Sequence, residues 1–224
     1  MHPGRLFFNA RFGLKERYIG PGEWYASSEN IIISTVLGSC IAVVLFEPLR
    51  AGGGLNHFML PGLHDRPGLK PPEMATGTTG QGSGGFYTGT ARYGVNAMEL
   101  LINDCLKLGL DRKRLRAKVF GGSKVLGLPG GARSSDSQGV GDQNIAFIKR
   151  FLADEHIPVE AWSVGGYLPR RIYYFSQTGK VLMKYSYSQA IGPVARRERR
   201  YAHKLDEQSS FDGSATVFHD PGTE

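Results

Sequence analysis

IIISTVLGSCIAVVLFEPLRAGGGLNHFMLP, residues Ile31 to Pro61, is the stretch on which the fold turns. Ile31–Val36 (IIISTV) and Ile41–Phe46 (IAVVLF) are β-branched, apolar runs with the length and composition of buried strands. Leu37-Gly38-Ser39-Cys40 separates them as a tight turn. Glu47–Gly54, with Pro48 and the glycines Gly52, Gly53 and Gly54, reads as a second turn. Leu55–Leu60 (LNHFML) reads as a third strand with His57 inside it, closed by Pro61-Gly62. Strands this close, joined by short turns, predict antiparallel pairing. A cysteine therefore stands at the first turn, and a histidine on a strand able to lie alongside it.

Upstream, Gly20-Pro21-Gly22 is a turn signal, and Glu23–Ala26 can form a strand. Residues 1–17 lack periodicity and read as an N-terminal extension with a short strand at Arg5–Phe8. Downstream, Gly62–Gly89 is rich in Gly, Pro and Thr and has no apolar period. So long a loop is often functional, and its start just after His57 predicts that it overhangs that residue. Arg92–Leu108 carries Val95, Met98, Leu101, Ile102, Cys105, Leu106 and Leu108 as one helical stripe, with Gly109 placed to end it. Gln143–Glu155 is a second helix, with Ile145, Ile148, Phe151 and Leu152 on one face. Lys118–Phe120 and Val159–Val164 read as strands. Arg171–Phe175 and Lys180–Tyr185 flank Gln177-Thr178-Gly179 as a hairpin. From about Ser188 the apolar pattern fades, and residues 188–224 are expected to form a flexible basic tail.

The totals narrow the classes. A chain of 224 residues suits one domain with tails and can bury a core without staples. No apolar run approaches the roughly 18–20 residues of a membrane span. The N-terminus lacks a secretory h-region and cleavage site. Two cysteines, Cys40 and Cys105, make no disulfide framework, so a reduced, cytoplasmic protein is expected. The net charge of +7 points to an acidic partner, but much of it is local. Ala195–Lys204 (ARRERRYAHK) holds five Lys or Arg residues against one acid, and a solvated tail accounts for it more simply than nucleic-acid binding.

Cys40 is the residue with chemistry to offer. A thiolate is the nucleophile, and a neighbouring imidazolium can lower the ordinary thiol pKa of about 8.5. The turn N–H groups of Ser39 and Cys40 could cradle an oxyanion. The alternative is a small buried core residue, as most free cysteines are. Cys105, on a helix stripe, reads as core. His2, His57, His64, His156, His203 and His219 are scattered, and neither CxxC nor HExxH occurs, so no metal is expected. Thr76–Gly85 lacks the GK[ST] ending of a phosphate loop, so no nucleotide cofactor is expected.

LGSC, an apolar strand, a Gly-rich turn and NHFMLP together resemble the CheD family of chemoreceptor glutamine deamidases. The likeness continues through IGPGEWYAS (Ile19–Ser27), RYGVNAMELLIN (Arg92–Asn103), AKVFGGS (Ala117–Ser123), the second helix, and VGGYLPRRIYYFSQTGKVLMKYS (Val164–Ser186). It covers residues 18–187, a deamidase-like domain between the extension and the tail. Gln143, Ser163 and the long loop depart from the family's usual pattern.

The resemblance implies an α+β fold, a layered α/β/β sandwich of mostly antiparallel strands with two helices on one outer face. It implies a Cys-His-Thr site with Cys40 as nucleophile and His57 as base. Counting back from the cysteine, the family's hydroxyl register falls on Ser34, whereas residue type favours Thr35. Adjacent strand residues face opposite ways, so one of them reaches His57. Register favours Ser34, and Thr35 stays as its competitor. The resemblance further implies methyl-accepting chemoreceptors as substrates, with a CheC-type phosphatase as a further partner and no membrane insertion. The rival reading is a non-catalytic chemotaxis adaptor, which would not need Cys40 or His57.

Overall fold

The computed structural model describes residues 5–60, 91–124, 139–186 and 191–211. Strands β1 (Arg5–Asn9), β2 (Leu14–Tyr18), β4 (Ile31–Leu37), β9 (Arg170–Phe175) and β10 (Lys180–Tyr185) form one sheet in the order β1-β2-β4-β9-β10. Strands β3 (Trp24–Ser27), β5 (Ile41–Phe46), β6 (Gly53–Asn56), β7 (Arg116–Gly121) and β8 (Val159–Val164) form the other, ordered β3-β6-β5-β7-β8. Pairing is antiparallel except at β2–β4 and β7–β8. Helices α1 (Ala91–Lys107) and α2 (Val140–Asp154) cover the second sheet, and α3 (Ile191–Phe211) packs beside the junction of the sheets. The result is the expected α+β sandwich.

Strand β5 explains the layering. Ile41, Val43 and Leu45 meet Met98, Leu101, Ile102, Phe147, Ile148 and Phe151 in the core beneath the helices. Ala42, Val44 and Phe46 point the other way, into a second core shared with Ile31, Ile33, Leu37, Ile172 and Tyr174. A strand covered on both faces reads as a continuous apolar run rather than an alternating one. Cys105 lies in the helix-side core, as its stripe position predicted. Gly109 ends α1 at φ +84°.

The structure corrects three expectations. First, β4 and β5 do not pair; they belong to different sheets. The turn between them makes its hydrogen bonds elsewhere. The Gly38 carbonyl accepts from Ser123 N–H at 2.6 Å, and the Cys40 carbonyl from Gly122 N–H at 2.8 Å. The Ser39 carbonyl accepts from the Asn144 amide at 2.9 Å. With all three carbonyls held on one side, the chain steps from one sheet to the other instead of closing a hairpin.

Second, His57 lies just beyond β6. Its N–H donates to the Glu23 carbonyl at 2.9 Å and its carbonyl accepts from Gly22 N–H at 2.7 Å, so the Gly20–Glu23 turn holds it in place of a strand ladder. Third, the expected C-terminal tail contains the 21-residue helix α3. Val194, Ala195, Glu198 and Leu205 are buried along one side of it. The dense arginines on its other side, and a glutamate within the buried stripe, mask the apolar period in the sequence.

The N-terminal extension is also structured in part. Beyond the strand expected at Arg5–Phe8, β2 pairs with β1 and runs parallel to β4. The loop expected at Gly62–Gly89, and its role over His57, lie outside the described residues.

Gly121 sets how closely β7 approaches the cysteine turn. It has φ +112°, and a Cβ there would lie 2.1 Å from the Cys40 carbonyl oxygen. Gly121→Ala is therefore expected to lower stability by about 2–4 kcal/mol, through left-handed strain and this collision together. Denaturant unfolding measures it, and an unchanged midpoint would refute the close approach.

Candidate active site

Four segments meet at the turn after β4. Cys40 is fully buried in the turn just before β5, and His57 is 1% exposed in the short link after β6. Thr35 comes from β4, and Glu198 from the second and third turns of α3. The Cys40 sulfur, one His57 ring nitrogen and one Glu198 oxygen all lie within 4.8 Å of one another.

Strand facing separates the two hydroxyl candidates. Thr35 shares the parity of Ile31, Ile33 and Leu37, which face the second sheet. Its Oγ1 is 2.7 Å from His57 Nδ1 and donates to the Ile19 carbonyl at 2.8 Å. Ser34 points the opposite way and donates to the buried carboxylate of Glu16. Register counting favoured Ser34, and the geometry puts Thr35 at the imidazole instead. Beyond counting, the apolar parity of β4 was the available signal, since the hydroxyl sharing the face of Ile31, Ile33 and Leu37 is Thr35.

The Thr35 contacts also set the histidine tautomer. A hydroxyl has one proton to donate. With that proton on the Ile19 carbonyl, Thr35 Oγ1 accepts from Nδ1–H, and Nε2 keeps a lone pair. Nε2 is buried and has no hydrogen-bond partner in the described structure. Burial first, and the positive charge of Arg197 second, lower the His57 pKa to about 3. The imidazole is therefore neutral, with Nε2 unprotonated, and burial beneath α3 opposes its protonation.

The turn supplies the electrostatics. Because its carbonyls are held on the far side, the N–H groups of Gly38, Ser39 and Cys40 converge on one point, the arrangement that binds anions in backbone nests. In this structure the point is occupied. Glu198 Oε1 accepts from Gly38 N–H at 2.7 Å and Cys40 N–H at 3.2 Å. Its Oε2 accepts from Ser39 N–H at 2.8 Å and from the Ser39 hydroxyl at 2.7 Å. The N–H groups of Ser39 and Cys40, the oxyanion donors expected from the sequence, here bind Glu198, as does that of Gly38. Burial, then the charge of Glu198 and its hydrogen bond with the thiol, push the Cys40 pKa well up. With Glu198 in place, Cys40 is a neutral thiol.

Cys, His and carboxylate are donors of the kind that hold zinc. Here, however, both Glu198 oxygens are already engaged by four turn donors, which leaves the carboxylate poorly placed to serve a metal. Sequence reasoning missed Glu198 because it lies within a run of arginines. The spacing of Val194, Tyr201 and Leu205 was the signal for a helix there.

A cleft of about 230 Å³ opens beside these groups, bounded by Gly22, Asn56, His57 and Met59 on one side and by Tyr93, Tyr201 and Leu205 on others. No helix among the described residues is long and apolar enough to cross a membrane.

The chain is similar throughout its length to curated proteins of one kind. It is 37% identical over 216 residues to the "Probable chemoreceptor glutamine deamidase CheD" of Laribacter hongkongensis, covering 96% of this chain and 94% of that protein. It is 38% identical over 214 residues to the "Probable chemoreceptor glutamine deamidase CheD 1" of Dechloromonas aromatica, covering 95% and 93%. The like-named protein of Shewanella oneidensis is 39% identical over 199 residues, covering 89% of this chain and 86% of its own. A family model described as CheD chemotactic sensory transduction matches residues 79–185, a span that leaves out Cys40 and His57. Identity at this level along nearly the whole of both chains places this protein in the CheD family.

Proposed function

We propose that this protein hydrolyses glutamine side-chain amides of chemoreceptors to glutamate, releasing ammonia. The observation that carries the reading is a thiol beside an imidazole with a bare Nε2, at a turn whose Gly38 and Cys40 N–H groups meet at one oxygen site and whose Ser39 N–H meets the neighbouring one. The names of the relatives support glutamine as the substrate and chemoreceptors as its source.

In the proposed reaction the substrate carbonyl oxygen takes the Gly38 and Cys40 N–H positions now held by Glu198 Oε1. His57 Nε2 removes the thiol proton, and Sγ attacks the amide carbon. The N–H groups stabilise the oxyanion that forms. The C–N bond breaks as the imidazolium returns its proton to nitrogen, and ammonia leaves a thioester on Cys40. A water, deprotonated by the same imidazole, hydrolyses the thioester to the carboxylate. Thr35 holds the ring through Nδ1–H, the part an acidic residue plays in other triads. No step calls on a cofactor.

The site belongs in the cytoplasm, where receptor signalling helices are found. A CheC-type phosphatase is a second partner in this reading. The test is incubation with a receptor cytoplasmic fragment, followed by peptide mass analysis. Conversion of specific glutamines, each gaining about 1 Da, is expected. Demonstrated binding with no conversion would overturn the assignment.

A further inference from the structure

We propose that α3 holds this protein in an autoinhibited state, occupying in cis the groove over Cys40 that the substrate must enter, with Glu198 standing where the product carboxylate forms. This rests on the deamidase reading above and deepens it. The chain thereby carries its own bound image of the reaction product.

The first argument is the chemistry of the occupant. A buried carboxylate is costly unless fully hydrogen-bonded. Glu198 is 1% exposed, and its turn partners are three backbone N–H groups and one hydroxyl. Two of them, the N–H groups of Gly38 and Cys40, are the donors the reaction assigns to the oxyanion. Of the acidic side chains, glutamate alone matches a deamidated glutamine in length and charge.

The second argument is how the helix is seated. Val194, Tyr201 and Leu205 lie four residues before, three after and seven after Glu198, on the same face of α3. Leu205, Tyr201 and Ala202 pack into the core cluster that contains Cys40, Met59 and Leu37. Gly22 makes room for the tyrosine; a Cβ there would lie 2.7 Å from the Tyr201 hydroxyl. Arg197 ties the helix to Tyr18 from outside, by a hydrogen bond and by stacking at 5.6 Å. A helix therefore already fits over the site, with one side chain reaching the nucleophile.

The third argument is selectivity between carboxylate and amide. Ser39 aims two donors, N–H and Oγ–H, at Glu198 Oε2. An amide nitrogen at that position has no lone pair to accept either. The cradle thus holds α3 more firmly through glutamate than through glutamine. The substrate must first displace α3, so resting turnover is scaled down by the fraction of chains with the groove open.

The test uses the full chain with Glu198→Gln and Glu198→Ala. Tyr201→Ala is a third variant, which weakens the seat without touching the turn. Two rates are read: alkylation of Cys40 by iodoacetamide, with buried Cys105 as internal control, and deamidation of a receptor cytoplasmic fragment. Both rates are expected to rise about tenfold or more in the variants, while Cys105 stays unmodified. Unchanged Cys40 alkylation in folded variants would overturn the proposal. Faster alkylation with no receptor deamidation by any form, wild type included, would sink the deamidase reading and reduce α3 to a cover over a thiol. Faster alkylation with deamidation no faster than wild type would show that α3 does not compete with the substrate, which also overturns it.

Discussion

Cys40→Ala is expected to lower receptor deamidation by about 10³-fold or more while leaving the chain folded. Loss of a covalent nucleophile removes the whole thioester route, and the remaining N–H cradle cannot replace it. The other thiol, Cys105, lies in the separate core beneath the helices and offers no substitute. The structural cost is small, because the change deletes one sulfur at a buried position whose carbonyl still accepts from Gly122 N–H. Receptor peptide masses measure the activity, and a thermal melt checks the fold. A Cys40→Ala protein that still converts glutamine would refute the nucleophile. One that loses conversion yet supports every chemotactic role would favour the adaptor reading, since binding alone needs no thiol.

The second large effect separates neighbouring hydroxyls. Thr35→Val keeps the shape of the side chain and removes the oxygen that fixes His57. Nδ1–H then loses its acceptor at 2.7 Å, and the tautomer with Nε2 bare is no longer enforced. A loss in kcat on the order of 10–100-fold is expected, with KM little changed, because the imidazole acts in the chemical steps rather than in substrate binding. The pH–rate profile is expected to shift as well, which a purely structural role would not produce. Ser34→Ala should leave kcat near wild type. It removes a donor from the carboxylate of Glu16, which is fully buried, and so lowers stability by about 1–3 kcal/mol. The reverse pattern, with Ser34 controlling the rate, would restore the assignment that register counting favoured.

These two residues also show where local reading stops. The composition of Ile31–Val36 and Ile41–Phe46 announced two buried strands, and both formed within a residue of their expected limits. Their pairing was not local. Two short-linked strands normally close a hairpin, but here the turn carbonyls are claimed by Gly122, Ser123 and Asn144, which lie 80 or more residues away. No pattern within the turn encodes partners at that distance.

The helices divide along similar lines. α1 and α2 bury ordinary apolar stripes, and those stripes are visible by counting. α3 buries a stripe that includes a glutamate, so hydropathy describes it as a solvated tail. Its burial is favourable only because a nest of N–H donors waits for the carboxylate, and that nest exists only after β4, β5, β7 and α2 have assembled around the turn.

From the sequence alone came most strand and helix positions and the pairing of a cysteine turn with a nearby histidine, which follow from residue-by-residue preferences and short periods. The α+β class was implied by the resemblance to CheD proteins. The tertiary structure decided which hydroxyl meets the imidazole, where the turn N–H groups point, and that the C-terminal helix fills the site. Each of these depends on how strands face across two sheets and on hydrogen bonds between distant segments, which only the folded chain brings together.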